Sequence, residues 1–141
     1  MINYDNYLNT EIKAVKPSGI RRFFEIANEL DNVISLSIGE PDFATPYHIR
    51  EEGINTLEKG KTWYSPNRGF MELREEISKW LERKYQVSYD PATEVLVTVG
   101  GSEAIDLTCR TLLNPGDEVL IPVPSFVCYT PLAELCRAKP V

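Results

Sequence analysis

The sequence carries a single histidine, His48. No site that needs several imidazole ligands can be built from it, and a Ser-His-Asp triad would have to use this one residue. Its three cysteines, Cys109, Cys128 and Cys136, include no CxxC pair, and an odd number does not close into a disulfide framework. A reducing, cytoplasmic compartment is the expected setting. No apolar run approaches the roughly 18 residues of a membrane span. The first ten residues are polar and lack the basic-then-apolar pattern of a secretory leader. Basic blocks are missing too. Lys and Arg number 15 against 21 Asp and Glu, a net charge of −6, which argues against a nucleic-acid partner. There is no internal repeat and no low-complexity tract.

What is present reads as globular. Hydrophobic residues make up 43% and charged residues 26% of 141 positions, ordinary usage for one folded domain. The first 35 residues show weak organisation. Pro17-Ser18-Gly19 signals a turn, and Phe23, Ile26, Ala27 and Leu30 give residues 20–30 helical spacing. Residues 33–38 read as a strand broken by Gly39-Glu40-Pro41-Asp42. Thr45 as N-cap and Pro46 at the first helical position predict a helix that runs to about Glu58 and stops at Gly60. Phe70, Leu73, Ile77, Trp80 and Leu81 predict an amphipathic helix ending near Tyr85, with Glu72, Arg74, Glu75 and Glu76 on its solvated face.

From residue 93 the pattern becomes strand, turn, helix, strand, turn, helix. Residues 94–99 are apolar on both faces, as in an interior strand of a parallel sheet. Gly100-Gly101 turns the chain into a helix over 102–113. Residues 118–122 read as a second strand, 126–137 as a third helix, and 139–141 as the entry to another strand. This series predicts an α/β fold, a mainly parallel sheet flanked by helices. Such sheets usually have five or more strands, so the chain reads as the N-terminal part of a larger α/β protein.

Four segments offer chemistry, each with a plainer alternative. At Gly100, Gly101 and Ser102, the unpaired N–H groups of a helix start form an anion site suited to phosphate. On spacing alone, an ordinary tight turn capped by Ser102 is the simpler account. The glycines match neither GxGxxG nor the P-loop, whose lysine is missing. Glu103 is expected to cap the helix or face solvent. Gly39 lets a ligand approach the backbone, but by itself marks only a turn. Tyr64 offers a loop hydroxyl, or a packing residue. Phe126, at a strand's C-terminal end, faces the crevice where α/β sheets bind ligands, or else joins the core. His48 is expected at the surface and the three cysteines in the packing. Asp42 offers a site acid, although Pro-Asp turns are common.

In order, the motifs SxGxPDFxTP (37–46), YxPxxGxxELRxxI (64–77), VTxGxSEAI (97–105) and LLNPGDEVLIPxPxFxxY (112–129) resemble class I/II pyridoxal-phosphate-dependent aminotransferases. The pattern is that of the aspartate aminotransferase fold type and the bacterial aminotransferase A-like group, and it runs from Ser18 through the rest of the chain. The resemblance implies an N-terminal arm and part of a small domain over 1–45, and the first part of the large cofactor domain over 46–141. It implies that Gly101 and Ser102, with Gly100 beside them, hold the phosphate of pyridoxal 5'-phosphate, and that Phe126 stacks on its ring. Tyr64 would reach the partner subunit's cofactor in a homodimer, and Gly39 would contact the substrate carboxylate through its backbone. Some members carry a cis proline before the stacking aromatic, which here is the Val123–Pro124 peptide.

The implied reaction belongs to amino-acid metabolism and moves an amino group between an amino acid and a 2-oxo acid. The family's catalytic lysine lies well beyond position 141, and Lys139 sits at the wrong point in the motif order. The chain alone is therefore expected to be inactive. Carbon–sulfur lyases and synthases share these motifs, and a non-catalytic interaction protein is the third reading. Apolar surface at Val95, Val97, Leu120 and Ile121 is expected to favour self-association.

Overall fold

A computed structural model describes residues 2–30, 34, 39 and 41–141. The chain divides into two units, Arg22–Val97 and a discontinuous one formed by Met1–Arg21 and Thr98–Val141. Helix α1 spans Thr10–Ala14 and α2 spans Ile20–Glu29, the second within a residue of its predicted extent. Of the strand or extended segment expected over 33–38, all but Ile34 lies outside the described residues.

Helix α3 spans Tyr47–Glu58. It begins one residue later than predicted. Pro46 has an extended ψ of 141°, so it occupies the cap position, and no side chain caps the helix. Its carbonyl accepts the N–H groups of Ile49 at 3.0 Å and Arg50 at 3.2 Å. Helix α4, Met71–Tyr85, matches its predicted period and stop; Gln86 adopts a left-handed φ of 57° and ends it.

Arg74 is where α4 departs from expectation. It is buried, 7% exposed, instead of lying on a solvated face. Its Nε donates to the Gly69 carbonyl at 3.2 Å, and its Nη1 donates to the carbonyls of Pro91 at 2.7 Å and Ala92 at 3.3 Å. Arg68 Nη1 adds bonds to the carbonyls of Ala92 at 2.8 Å and Thr93 at 3.2 Å. The 91–94 turn leaves these carbonyls without ladder partners, and a guanidinium brings five donors in a fixed fork.

Residues 95–98, inside the strand predicted over 94–99, form neither helix nor strand. A strand exists through a paired neighbour, and here the run is tied by one backbone bond, Val97 N–H to the Arg68 carbonyl at 3.1 Å. Val95 is buried at 8% exposure, so it adds nothing to an apolar surface. The turn before this run is held by Asp90. Its carboxylate accepts the Ala92 N–H at 2.9 Å and the Thr93 hydroxyl at 2.6 Å. The Thr93 hydroxyl first, then the Ala92 amide, hold the Asp90 carboxyl below its ordinary value of 3.8. The stabilisation is therefore present above 3.8 and lost as pH falls through the lower native value. Asp90→Asn is expected to reduce the gap between denaturation midpoints measured at about pH 3 and about pH 6. An unchanged gap would remove Asp90 from the acid limb.

The other unit is better organised at its start than the sequence suggested. A 3-10 turn spans Tyr4–Asn6, with Asn3 Oδ1 accepting the Asp5 N–H at 3.1 Å. Asn9 Oδ1 caps α1, accepting the N–H groups of Glu11 at 2.8 Å and Ile12 at 3.4 Å. Helix α5 spans Gly100–Leu112, β1 Glu118–Val119, α6 Tyr129–Leu135 and β2 Lys139–Pro140. The two strands pair in parallel, with Glu118 opposite Lys139 and Val119 opposite Pro140. Bonds from Lys139 N–H to the Asp117 carbonyl (2.7 Å), from Val141 N–H to the Val119 carbonyl (2.8 Å) and from Ile121 N–H to the Val141 carbonyl (2.9 Å) extend the pairing. This is the parallel βαβ unit predicted, with β1 shorter than 118–122.

Helix α6 starts three residues later than predicted and ends two residues sooner. Pro131 explains the start. A helix beginning at Phe126 would put it beyond the first turn, where its missing N–H and its ring break the ladder. Beginning at Tyr129, Pro131 falls in the first turn. Arg137, with φ of 59°, turns the chain towards β2. Ala133, fully buried, and Ala138, at 7% exposure, are the packed centre of this unit.

Candidate functional site

The predicted glycine turn is the first turn of α5 itself. Val99, at φ −78° and ψ 70°, is the cap residue, and Gly100 takes a φ of +84° that admits the chain into the helix. Ser102 is therefore not the N-cap; it is the third helical residue. Capping falls to Glu103, whose Oε2 accepts the Val99 N–H and whose carboxylate is thereby engaged at the cap. The Thr98 hydroxyl donates to the Gly100 carbonyl at 2.9 Å.

This leaves the end of α5 open. A Cβ on Gly101 would meet nothing within 4 Å. Among the described residues, no acceptor takes the N–H groups of Gly101 or Ser102. A helix of 13 residues concentrates partial positive charge there. Backbone donors, an adjacent hydroxyl and free space together suit a phosphate-sized anion.

The segment after β1 reaches the same helix end. Cys128 Sγ lies 3.9 Å from Ser102 Oγ. Phe126, two residues earlier, is 55% exposed and so is not core. Its ring meets Tyr129 edge-on, centroids 5.9 Å apart at 75°. The Val123–Pro124 peptide is cis, as expected. A shallow cleft of about 160 Å³ lies beside this segment, lined by Ile105, Cys109, Val119, Ile121, Pro122 and Tyr129. Burial pushes the Cys109 thiol up, and Cys136, Asp106 and Cys128 add to the shift. All three cysteines are half-buried.

Gly100, Gly101, Ser102 and the segment carrying Phe126 thus belong to one unit. Tyr64 and Gly39 belong to the other. Tyr64 is fully exposed. Gly39 is exposed as well, and a Cβ there would meet nothing. His48 is at the surface, as expected, and Asp42 is exposed too. Sequence reasoning did not find Cys128 beside Ser102. The two are 26 residues apart, and no local pattern signals their contact. No helix among the described residues is long and apolar enough to cross a membrane.

A parallel βαβ unit joined to a glycine-led, open helix end is the architecture of α/β proteins that seat anionic ligands at helix N-termini. The comparisons narrow this class. The family model for aminotransferase class I and II matches residues 31–141. A putative aminotransferase YugH of Bacillus subtilis is 48% identical over 136 residues, covering 96% of this chain and 35% of that protein. A Pyrococcus structure, described as protein-A1, superposes with a TM-score of 0.87 at 45% identity, over 93% of this chain and 34% of the other. Aspartate aminotransferase from Thermus thermophilus, solved with maleate, gives 0.86 at 36% identity, over 95% and 36%. The chain belongs to the class I and II aminotransferases. It spans about a third of the length of the curated relatives it matches.

Proposed function

We propose that the protein contributes the cofactor-phosphate and ring-stacking elements of a pyridoxal-phosphate-dependent aminotransferase, acting on an amino acid and a 2-oxo acid. The observation that carries this reading is the open N-terminus of α5. It offers the unpartnered N–H groups of Gly101 and Ser102, the Ser102 hydroxyl and space at Gly101. Gly100 and Gly101 let the phosphate approach the backbone, and the helix end supplies charge of the right sign. Phe126, half-exposed on the segment whose Cys128 meets Ser102, would lie against the cofactor ring. Tyr64 would serve the partner subunit's cofactor in a homodimer, and Gly39 the substrate carboxylate. In this reading residues 1–45 belong to the arm and small domain, residues 46–141 begin the large domain, and the protein works in the cytoplasm.

When bound, pyridoxal phosphate supplies the electron sink for chemistry at the amino acid's α-carbon. This chain's residues would hold it: Gly101 and Ser102 would donate hydrogen bonds to the phosphate, and Phe126 would pack on the ring. No lysine here holds the motif position of the family's catalytic amine. The chain by itself is therefore expected to transfer no amino group, and borohydride is expected to trap no stoichiometric cofactor on it.

The test is a titration of the chain with pyridoxal phosphate, followed by tyrosine and tryptophan fluorescence. Ser102→Ala removes one charge-assisted hydrogen bond and is expected to weaken binding about tenfold or more. His48→Ala, at the surface, is expected to change nothing. Equal affinity in wild type and Ser102→Ala would take the phosphate away from α5.

A further inference from the structure

The contact between Ser102 and Cys128 is separate from the capping of α5. Glu103 caps the helix, and Ser102, in the first turn, carries a hydroxyl free of that task. Cys128 ends the segment that begins at the cis Val123–Pro124 peptide and stands immediately before α6. The sulfur lies 3.9 Å from Ser102 Oγ, at the long end of contacts that sulfur makes with a hydroxyl. The two side chains meet across 26 residues of chain.

A hydroxyl has one proton and two lone pairs, and it rotates to suit its neighbours. With no anion present, the Ser102 proton points to the sulfur. An anion at the helix end takes that proton, since a hydrogen bond to a charged acceptor is about twice as strong as a neutral one. The oxygen's lone pair then faces Cys128, and a thiol can donate where it previously accepted. We propose that Cys128 is a positioning residue for the anion end of the cofactor site: its S–H donates to Ser102 Oγ and leaves the hydroxyl proton directed at the bound phosphate. The proposal rests on the cofactor reading given above and adds a residue to that site. Among the described residues Cys109 and Cys136 have no such contact, and they serve as internal controls.

The experiment titrates pyridoxal phosphate, and separately inorganic phosphate, into wild type, Cys128→Ala, Cys128→Ser, Ser102→Ala and the Ser102→Ala/Cys128→Ala double variant. Losing a weak S–H donor is expected to reduce affinity about two- to fivefold in Cys128→Ala. Cys128→Ser, which keeps a donor, is expected to bind at least as tightly as wild type. In the Ser102→Ala background the cysteine substitution is expected to have no further effect, because the group it orients is gone. A merely structural role for Cys128 would not give that non-additivity. As a second measurement on wild type, saturating pyridoxal phosphate is expected to slow iodoacetamide alkylation of Cys128 and to leave Cys109 and Cys136 unaffected. Equal affinity in Cys128→Ala, additive losses in the double variant, or unprotected Cys128 under saturating cofactor would overturn the proposal while the cofactor reading stood. Absence of any binding by wild type would instead defeat that reading, and this proposal with it.

Discussion

Gly69→Ala is expected to destabilise the Arg22–Val97 unit by about 2–5 kcal/mol, as the sum of two costs. The first is conformational. Gly69 has a φ of +88°, where a Cβ is strained by about 1–2 kcal/mol. The second is steric. The added Cβ would stand 2.7 Å from both Cβ and Cγ2 of Val97. A Cβ is fixed by the backbone, and the Val97 backbone is itself tied to the Arg68 carbonyl at 3.1 Å. Neither partner can step aside by rotation, so overpacking adds about 1–3 kcal/mol. Gly100→Ala provides the comparison. Its φ is +84°, but a Cβ there meets nothing within 4 Å, so only the conformational cost applies. Urea denaturation of the two variants measures the difference. Equal losses would mean that Val97 yields and that the close approach is unimportant.

Arg74→Met is expected to cost about 3–5 kcal/mol, from charge-assisted bonds that each contribute about 1.5–3 kcal/mol. The Gly69 and Pro91 carbonyls have no other donor among the described residues, whereas Ala92 keeps its bond from Arg68. Methionine fills similar volume, so the loss reports the guanidinium and not a cavity. Arg74→Lys is expected to recover only part, since an ammonium cannot span the fork that reaches both Gly69 and Pro91. Lys79→Ala gives the scale for a solvent-side charge. Its ion pair with Glu76 is 58% and 65% exposed, and a loss below about 1 kcal/mol is expected. A loss of that size for Arg74→Met would return Arg74 to the solvated face on which its charge alone would place it.

These two positions also mark where the sequence was legible. The apolar repeat of α4 and its Gln86 stop follow from local pattern, and so does the glycine-led start of α5. Side-chain charge suggested the wrong face for Arg74, because its acceptors are carbonyls of a turn 17 residues away, which no helical periodicity encodes. The apolar run over 95–98 has strand composition, yet pairing needs a neighbour that composition does not supply. Pro131 could have set the start of α6 from the sequence alone, and Asn9 could have announced α1. At the candidate site, the helix end at Gly100–Ser102 was readable, while the approach of Cys128 depends on how the chain returns through the parallel pair.

The discontinuous unit has a consequence for the order in which the chain can fold. Glu11 and Arg137 form an ion pair at 2.9 Å across 126 residues, and α1 packs near α6. The pair is largely exposed on the arginine side and contributes little energy; it marks where the N-terminal segment finally rests. A helix of five residues does not persist alone in water. During synthesis, α1 therefore waits at least until α6 has left the ribosome, while the contiguous stretch from Arg22 to Val97 can close its own contacts first. Within this unit, the N-terminal segment settles only after α6 has formed.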